Sequence, residues 1–162
     1  MFSDRVAEET ISVGMGQAVV GRPPTKLTAV LGSCLGICLW HPRSRVGGMA
    51  HTVLPQSNGQ PSQVPGKFVD TAIRFLQEKL QMLGVPSDEL VAKLAGGACM
   101  FPTNGPLQIG EANIEKAIKC LQAASIPVVA QDVAGTKGRR IVFDLATGRL
   151  LVQVVGESPR ML

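Results

Sequence analysis

The sequence predicts a mixed α/β fold of the α+β kind, and three observations carry that expectation. Strand-like apolar runs lie towards both ends of the chain, two segments between them repeat apolar residues at helical spacing, and no regular strand-helix-strand series links them. At 162 residues the chain has length for a single domain, residues 1–162 with a core over about 25–155, and for one site. A hydrophobic share of 45% with 18 Gly and 11 Pro suits a turn-rich globule and argues against disorder.

The elements follow in order. Residues 28–40, TAVLGSCLGICLW, are apolar with β-branched and small side chains and stop at His41-Pro42, as a buried strand or strand-turn-strand does. HPRSR then turns, and VGGMAHTVLP reads as a second strand ending at Pro55, so the two make a hairpin. QSNGQPSQVPG is an exposed loop. In FVDTAIRFLQEKLQMLG, Val69, Ala72, Ile73, Leu76, Leu80 and Leu83 recur at helical spacing, with Gly84 in the stop position. Ser87 opens a short capped turn, and LVAKLAGGACMF is a buried strand broken at Gly96-Gly97. EANIEKAIKCLQAAS repeats the helical pattern through Ile114, Ala117, Ile118 and Leu121, IPVVAQDV returns to strand, and RRIVFDLATGRLLVQVV is a hairpin turning at Thr147-Gly148. Gly96, Gly97, Asn113 and Asp132 read as turn and capping residues.

Composition removes several classes of function. No run approaches the roughly 18 apolar residues of a membrane span, and Asp4, Glu8 and Glu9 occupy the place where an export signal is basic and then apolar. A cytoplasmic protein is expected, with its four cysteines (Cys34, Cys38, Cys99, Cys120) as free thiols. There is no CxxC pair and there are only two histidines, so no metal site is expected. The net charge of +4 is spread thinly and aromatics are 4%, unlike a nucleic-acid binder; Lys137, Arg139 and Arg140 flank a turn and tolerate solvent. The mild positive field favours an acidic protein partner. A monomer is the expectation.

Chemistry gathers at Cys34. Glycines two before and two after it, Gly32 and Gly36, leave room for a planar carboxamide, and backbone N–H groups around Gly32 and Ser33 are free to turn towards an oxyanion. The same surroundings also suit a small buried hydrophobe. The hairpin adds weight to the first reading: a turn centred near 42 to 43 sets Cys34 opposite His51 or Thr52, where an imidazole can take the thiol proton, and Gly47-Gly48 could host a bulge that adjusts the register. A satisfied core histidine is the alternative for His51. His41, in a turn before proline, is a competing base expected to be exposed. Thr28 and Thr52 are candidates to orient the imidazole, whereas Asp70 and Asp132 have no sequence-based placement.

The motifs LGSCLGICLWHPRSRVGGMAHTVLP, FVDTAI, AKLAGGACMF, IGEAN and DVAGTKGRRIVFDLATG, in that order from about Thr25 to Val155, resemble the CheD chemoreceptor glutamine deamidases. The sequence departs from the family pattern at Phe68, Ala95, Ala112 and Ala134. The resemblance implies a catalytic set Cys34, His51 and Thr28, with the family spacings kept, and a layered β-sheet core flanked by helices like the deamidase domain of a bacterial cytotoxin. It implies hydrolysis of glutamine side chains on the cytoplasmic domains of methyl-accepting chemotaxis receptors without a cofactor. It also implies a phosphatase partner of the CheC type and a methylesterase activity through the same acyl-enzyme. The competing readings are a non-catalytic regulator of that phosphatase and a protease.

Overall fold

The structure is a computed structural model that describes residues 8–100 and 108–162. Asp4 and Phe101, which entered the sequence reading, lie outside the described residues. The chain runs β1 (Thr10–Ser12), β2 (Ala18–Gly21), β3 (Lys26–Leu31), β4 (Leu35–His41), β5 (Val46–Thr52), α1 (Val69–Met82), a 3-10 turn (Ser87–Glu89), β6 (Val91–Gly96), α2 (Ile109–Ala123), β7 (Val128–Val133), β8 (Arg139–Asp144), β9 (Arg149–Gln153) and β10 (Arg160–Met161).

The strands form two sheets, ordered β1-β3-β8-β9-β10 and β2-β5-β4-β6-β7. Pairing is antiparallel except for β1 with β3 and β6 with β7. Because side chains alternate across a strand, β4 serves two cores at once. Leu35, Ile37 and Leu39 pack against Val69, Leu76 and Leu80 of α1 and Leu121 of α2. Cys38 faces Leu27, Leu31, Ile141 and Phe143 of the other sheet. The result is helices on one sheet and that sheet on the second, an α+β architecture as expected. Among the described residues no helix covers the outer face of the second sheet, and Val30 there is 73% exposed.

Helix α1 matches its periodicity: Val69, Ala72, Ile73, Leu76 and Leu80 are buried, Asp70 complements the first turn and Lys79 the last. Gly84 at φ 85° ends it. Helix α2 begins earlier than its pattern suggests, at Ile109. Its buried stripe is Gly110, Asn113, Ala117 and Leu121, leaving Ile118 partly in solvent. Asn113 is therefore a helix-interior residue and not a turn residue. Strands β1 and β2 before residue 25 and β10 after 155 add to the sheets beyond the expected core.

The first hairpin differs from its predicted register. The connection is residues 42–45, closed by the Arg45 N–H on the His41 carbonyl at 2.8 Å with Arg45 at φ 58°. Its midpoint falls later than 42 to 43, so Gly36 stands opposite His51 and Leu35 opposite Thr52. The ladder runs through Gly47 and Gly48 without a bulge. Those glycines serve close approach instead: a Cβ on Gly47 would lie 2.5 Å from the Leu39 carbonyl oxygen, and one on Gly48 2.7 Å from that of Val19.

Candidate active site

Residues 32–34 cross from β3 in one sheet to β4 in the other, and all three of their carbonyls are held from the protein side. Gly32 O accepts the Ala98 N–H at 2.9 Å and Cys34 O accepts the Gly97 N–H at 2.9 Å. Ser33 O accepts the side-chain amide of Asn113 at 3.2 Å. In a trans peptide unit the N–H points opposite to the C=O. The Ser33 and Cys34 N–H groups consequently face away from these donors, and among the described residues neither has a protein acceptor. Two unpaired N–H groups beside a thiol are an arrangement suited to an oxyanion.

Close packing behind this loop demands glycine. Gly96, at φ 101°, would place a Cβ 2.5 Å from the Cys34 carbonyl oxygen, and Gly97, at φ 67°, would meet Ile114 at 2.6 Å. Arg139 holds the segment from beneath. Its guanidinium donates to the carbonyls of Gly96, Asp132 and Ala134 and pairs with the Asp132 carboxylate at 3.3 Å, while Asp132 also binds Arg160. Arg139 is buried, contrary to the expectation that the basic cluster sits in solvent; its carbonyl and carboxylate partners make that burial possible. Lys137 and Arg140 are exposed as expected.

Cys34 is 8% exposed, and burial pushes its thiol above the ordinary range. It precedes Gly36 by two residues, so it is a diagonal and not a directly opposed neighbour of His51, on the same face of the sheet. His51 is 4% exposed. Its Nδ1 lies 2.9 Å from the Val13 carbonyl oxygen, which can only accept. That contact puts a proton on Nδ1, so that in the neutral ring Nε2 holds the lone pair. Nε2 is buried with no hydrogen-bond partner, a costly state for a core histidine. The main chain of His51 is fixed as well, to Gln17 O and Gly16 N at 2.9 Å each.

The structure does not bring the Thr28 hydroxyl to the imidazole. The side chain is on the outer face of its sheet, where its Oγ1 donates to Ile141 O at 2.8 Å. Thr28 connects to the histidine through main chain alone: its carbonyl accepts the Val13 N–H at 2.8 Å, and the Val13 carbonyl takes His51. Thr52, the other hydroxyl considered, donates to Leu35 O. Asp70 caps the 57 loop through Ser57 and bonds the Thr71 N–H, and Asp132 serves Arg139 and Arg160. His41 is buried and not exposed, held between Ser44 at 2.5 Å and Glu89 at 2.6 Å at the far end of the hairpin. Val13 was missed by sequence reasoning because a carbonyl acceptor leaves no side-chain signature.

Among the described residues no three His, Cys, Asp or Glu side chains are placed to hold a metal ion, and no disulfide joins any of the four cysteines. No helix of the described residues is long and apolar enough to cross a membrane. A groove of about 770 Å³, bordered by Val30, Met100, Arg140 and Val155, opens beside the loop, with Met100 packed over Gly32.

The family described as CheD chemotactic sensory transduction matches residues 53–154 of this chain. The chain belongs to the CheD family. A chemoreceptor glutamine deamidase CheD from Thermotoga maritima is 41% identical over 150 residues, covering 92% of this chain and 94% of that one. A probable chemoreceptor glutamine deamidase CheD from Desulfitobacterium hafniense is 42% identical over 156 residues, covering 94% and 98%. One from Methanococcus vannielii is 38% identical over 144 residues, covering 88% and 94%. Among solved structures, the Bacillus licheniformis hypothetical protein YfiH has a TM-score of 0.47 at 14% identity, over 83% of this chain and 62% of that one. CheD membership agrees with the motif order read from the sequence.

Proposed function

We propose that this protein is a cytoplasmic amidohydrolase that converts glutamine side chains of chemotaxis receptors to glutamate, with Cys34 as nucleophile and His51 as base. The observation that carries the reading is the tautomer of His51: Nδ1–H is spent on Val13 O, and the bare Nε2 is buried without a partner on the sheet face shared with Cys34. Relatives covering nearly the whole chain carry the corresponding activity in their names.

His51 Nε2 takes the Cys34 proton, and the thiolate attacks the carboxamide carbon. The N–H groups of Ser33 and Cys34, beside Gly32, receive the oxyanion. As the tetrahedral intermediate collapses, the imidazolium gives its proton to the departing ammonia. Water then loses a proton to Nε2 and attacks the thioester, releasing glutamate and returning the proton to sulfur. Val13 O holds the tautomer throughout, and Thr28 contributes to it through its carbonyl on Val13 N. Every step uses side chains and main chain of this protein, with no cofactor. The apolar groove beside Met100, which packs over Gly32, offers a protein substrate a surface at the edge of the Cys34 loop.

The test is mass spectrometry of a purified receptor cytoplasmic fragment incubated with wild type, Cys34→Ala and His51→Ala. The expected result is a gain of about 1 Da per modified glutamine with wild type only, as nucleophilic catalysis by the pair requires. No gain on several receptors, together with tight binding to a CheC-type phosphatase, would replace the reading with that of a regulatory module.

A further inference from the structure

We propose that Asn113 is a positioning residue for the reaction, aiming the Cys34 N–H at the substrate's developing oxyanion. This rests on the amide-hydrolysis reading above. Asn113 lies in the buried stripe of α2 at 0% exposure. Its amide hydrogens go to Ser33 O at 3.2 Å and to Val53 O at 3.0 Å. Flipping the amide would set Oδ1 against two carbonyl oxygens, so the orientation is unique.

Two consequences follow from those bonds. Ser33 C=O and Cys34 N–H belong to one peptide unit; drawing the carbonyl towards α2 turns the N–H to the opposite side, away from the protein donors. Val53 is two residues past His51, so the same amide ties the strand of the base to the loop of the nucleophile. The other two loop carbonyls are held by main-chain N–H groups of Gly97 and Ala98, which survive most substitutions. Asn113 supplies the one side chain in this set.

A second observation separates this role from packing. The Oδ1 of Asn113 is buried without any partner. An apolar residue in the helix stripe would avoid that cost. What an apolar residue cannot do is hold the Ser33 carbonyl.

The experiment compares wild type, Asn113→Ala and Asn113→Ser in three readouts: thermal unfolding, kcat and KM for deamidation of a receptor cytoplasmic fragment, and the rate at which iodoacetamide alkylates Cys34. Alkylation needs the thiolate but no oxyanion donor. For folded Asn113→Ala the expected result is a roughly 100-fold loss of kcat at near-constant KM, the scale of a misaligned site. Alkylation of Cys34 is expected to stay within about threefold, since the thiolate itself is untouched. Asn113→Ser, with one donor left, recovers part of the kcat. Unchanged kcat in Asn113→Ala, alkylation falling in parallel with kcat, or failure of both variants to fold would each overturn the assignment. A wild-type protein that deamidates nothing removes the amide-hydrolysis reading itself, whereas an active wild type matched by Asn113→Ala removes this inference alone.

Discussion

Replacing Arg139 by methionine keeps an unbranched apolar stem and removes the guanidinium that binds β8 to the segment behind the Cys34 loop. Four contacts disappear: the carbonyls of Gly96, Asp132 and Ala134, and the Asp132 carboxylate. Removing one partner of a buried ion pair typically costs about 3–5 kcal/mol, because the remaining charge is left without compensation. Asp132 keeps Arg160 here, so the lower end, about 3 kcal/mol, is expected. In a protein of this size 1 kcal/mol corresponds to roughly 2–4 °C, which gives a fall in Tm of about 6–12 °C. Thermal unfolding followed by circular dichroism reads this directly, and Arg139→Lys, which lacks the planar fork, should recover less than half of it. A fall of less than about 3 °C in Arg139→Met would refute the argument that the guanidinium is a buried tie.

Gly96→Ala combines a left-handed backbone with a Cβ 2.5 Å from the Cys34 carbonyl oxygen. It should cost about 1–3 kcal/mol in stability and lower kcat by more than that loss of folded protein explains, measured by chemical denaturation beside the deamidation assay. The Cys34 thiol titrates above the ordinary range because burial disfavours the thiolate. The rate of iodoacetamide alkylation at Cys34 should therefore keep rising beyond about pH 9.5, where an ordinary cysteine of pKa about 8.5 is almost fully ionised and levels off. A plateau below neutral pH would mean that a preformed thiolate is present.

Much of the fold was open to reading from the sequence, and the exceptions have physical causes. Helix α1 is readable because one stripe of side chains meets one core, and the hairpin at Thr147-Gly148 because Gly148 has the positive φ its turn needs. Helix α2 is harder, since an asparagine occupies its buried stripe. The first hairpin was recognised but its register was not: where the turn midpoint falls among residues 42–45 depends on Arg45 adopting a positive φ, which its residue type does not signal. Cys34 and His51 lie on one sheet face, diagonal and not opposed as the sequence suggests. The contribution of Val13 and the burial of Arg139 depend on contacts with main-chain carbonyls of distant segments, for which no side-chain pattern exists.

The parts of the site come from far apart in the chain. Asn113 reaches Ser33 across 80 residues, and Val13 reaches His51 across 38. No short stretch of the polypeptide contains both the thiol loop and what shapes it, and long-range closure of this kind comes at a stage when most native surface is already buried. A chain still emerging from the ribosome, or one opened by heat, thus carries Cys34 and His51 without the contacts that set their loop and ring in place. The shape of the loop and the native topology arise together.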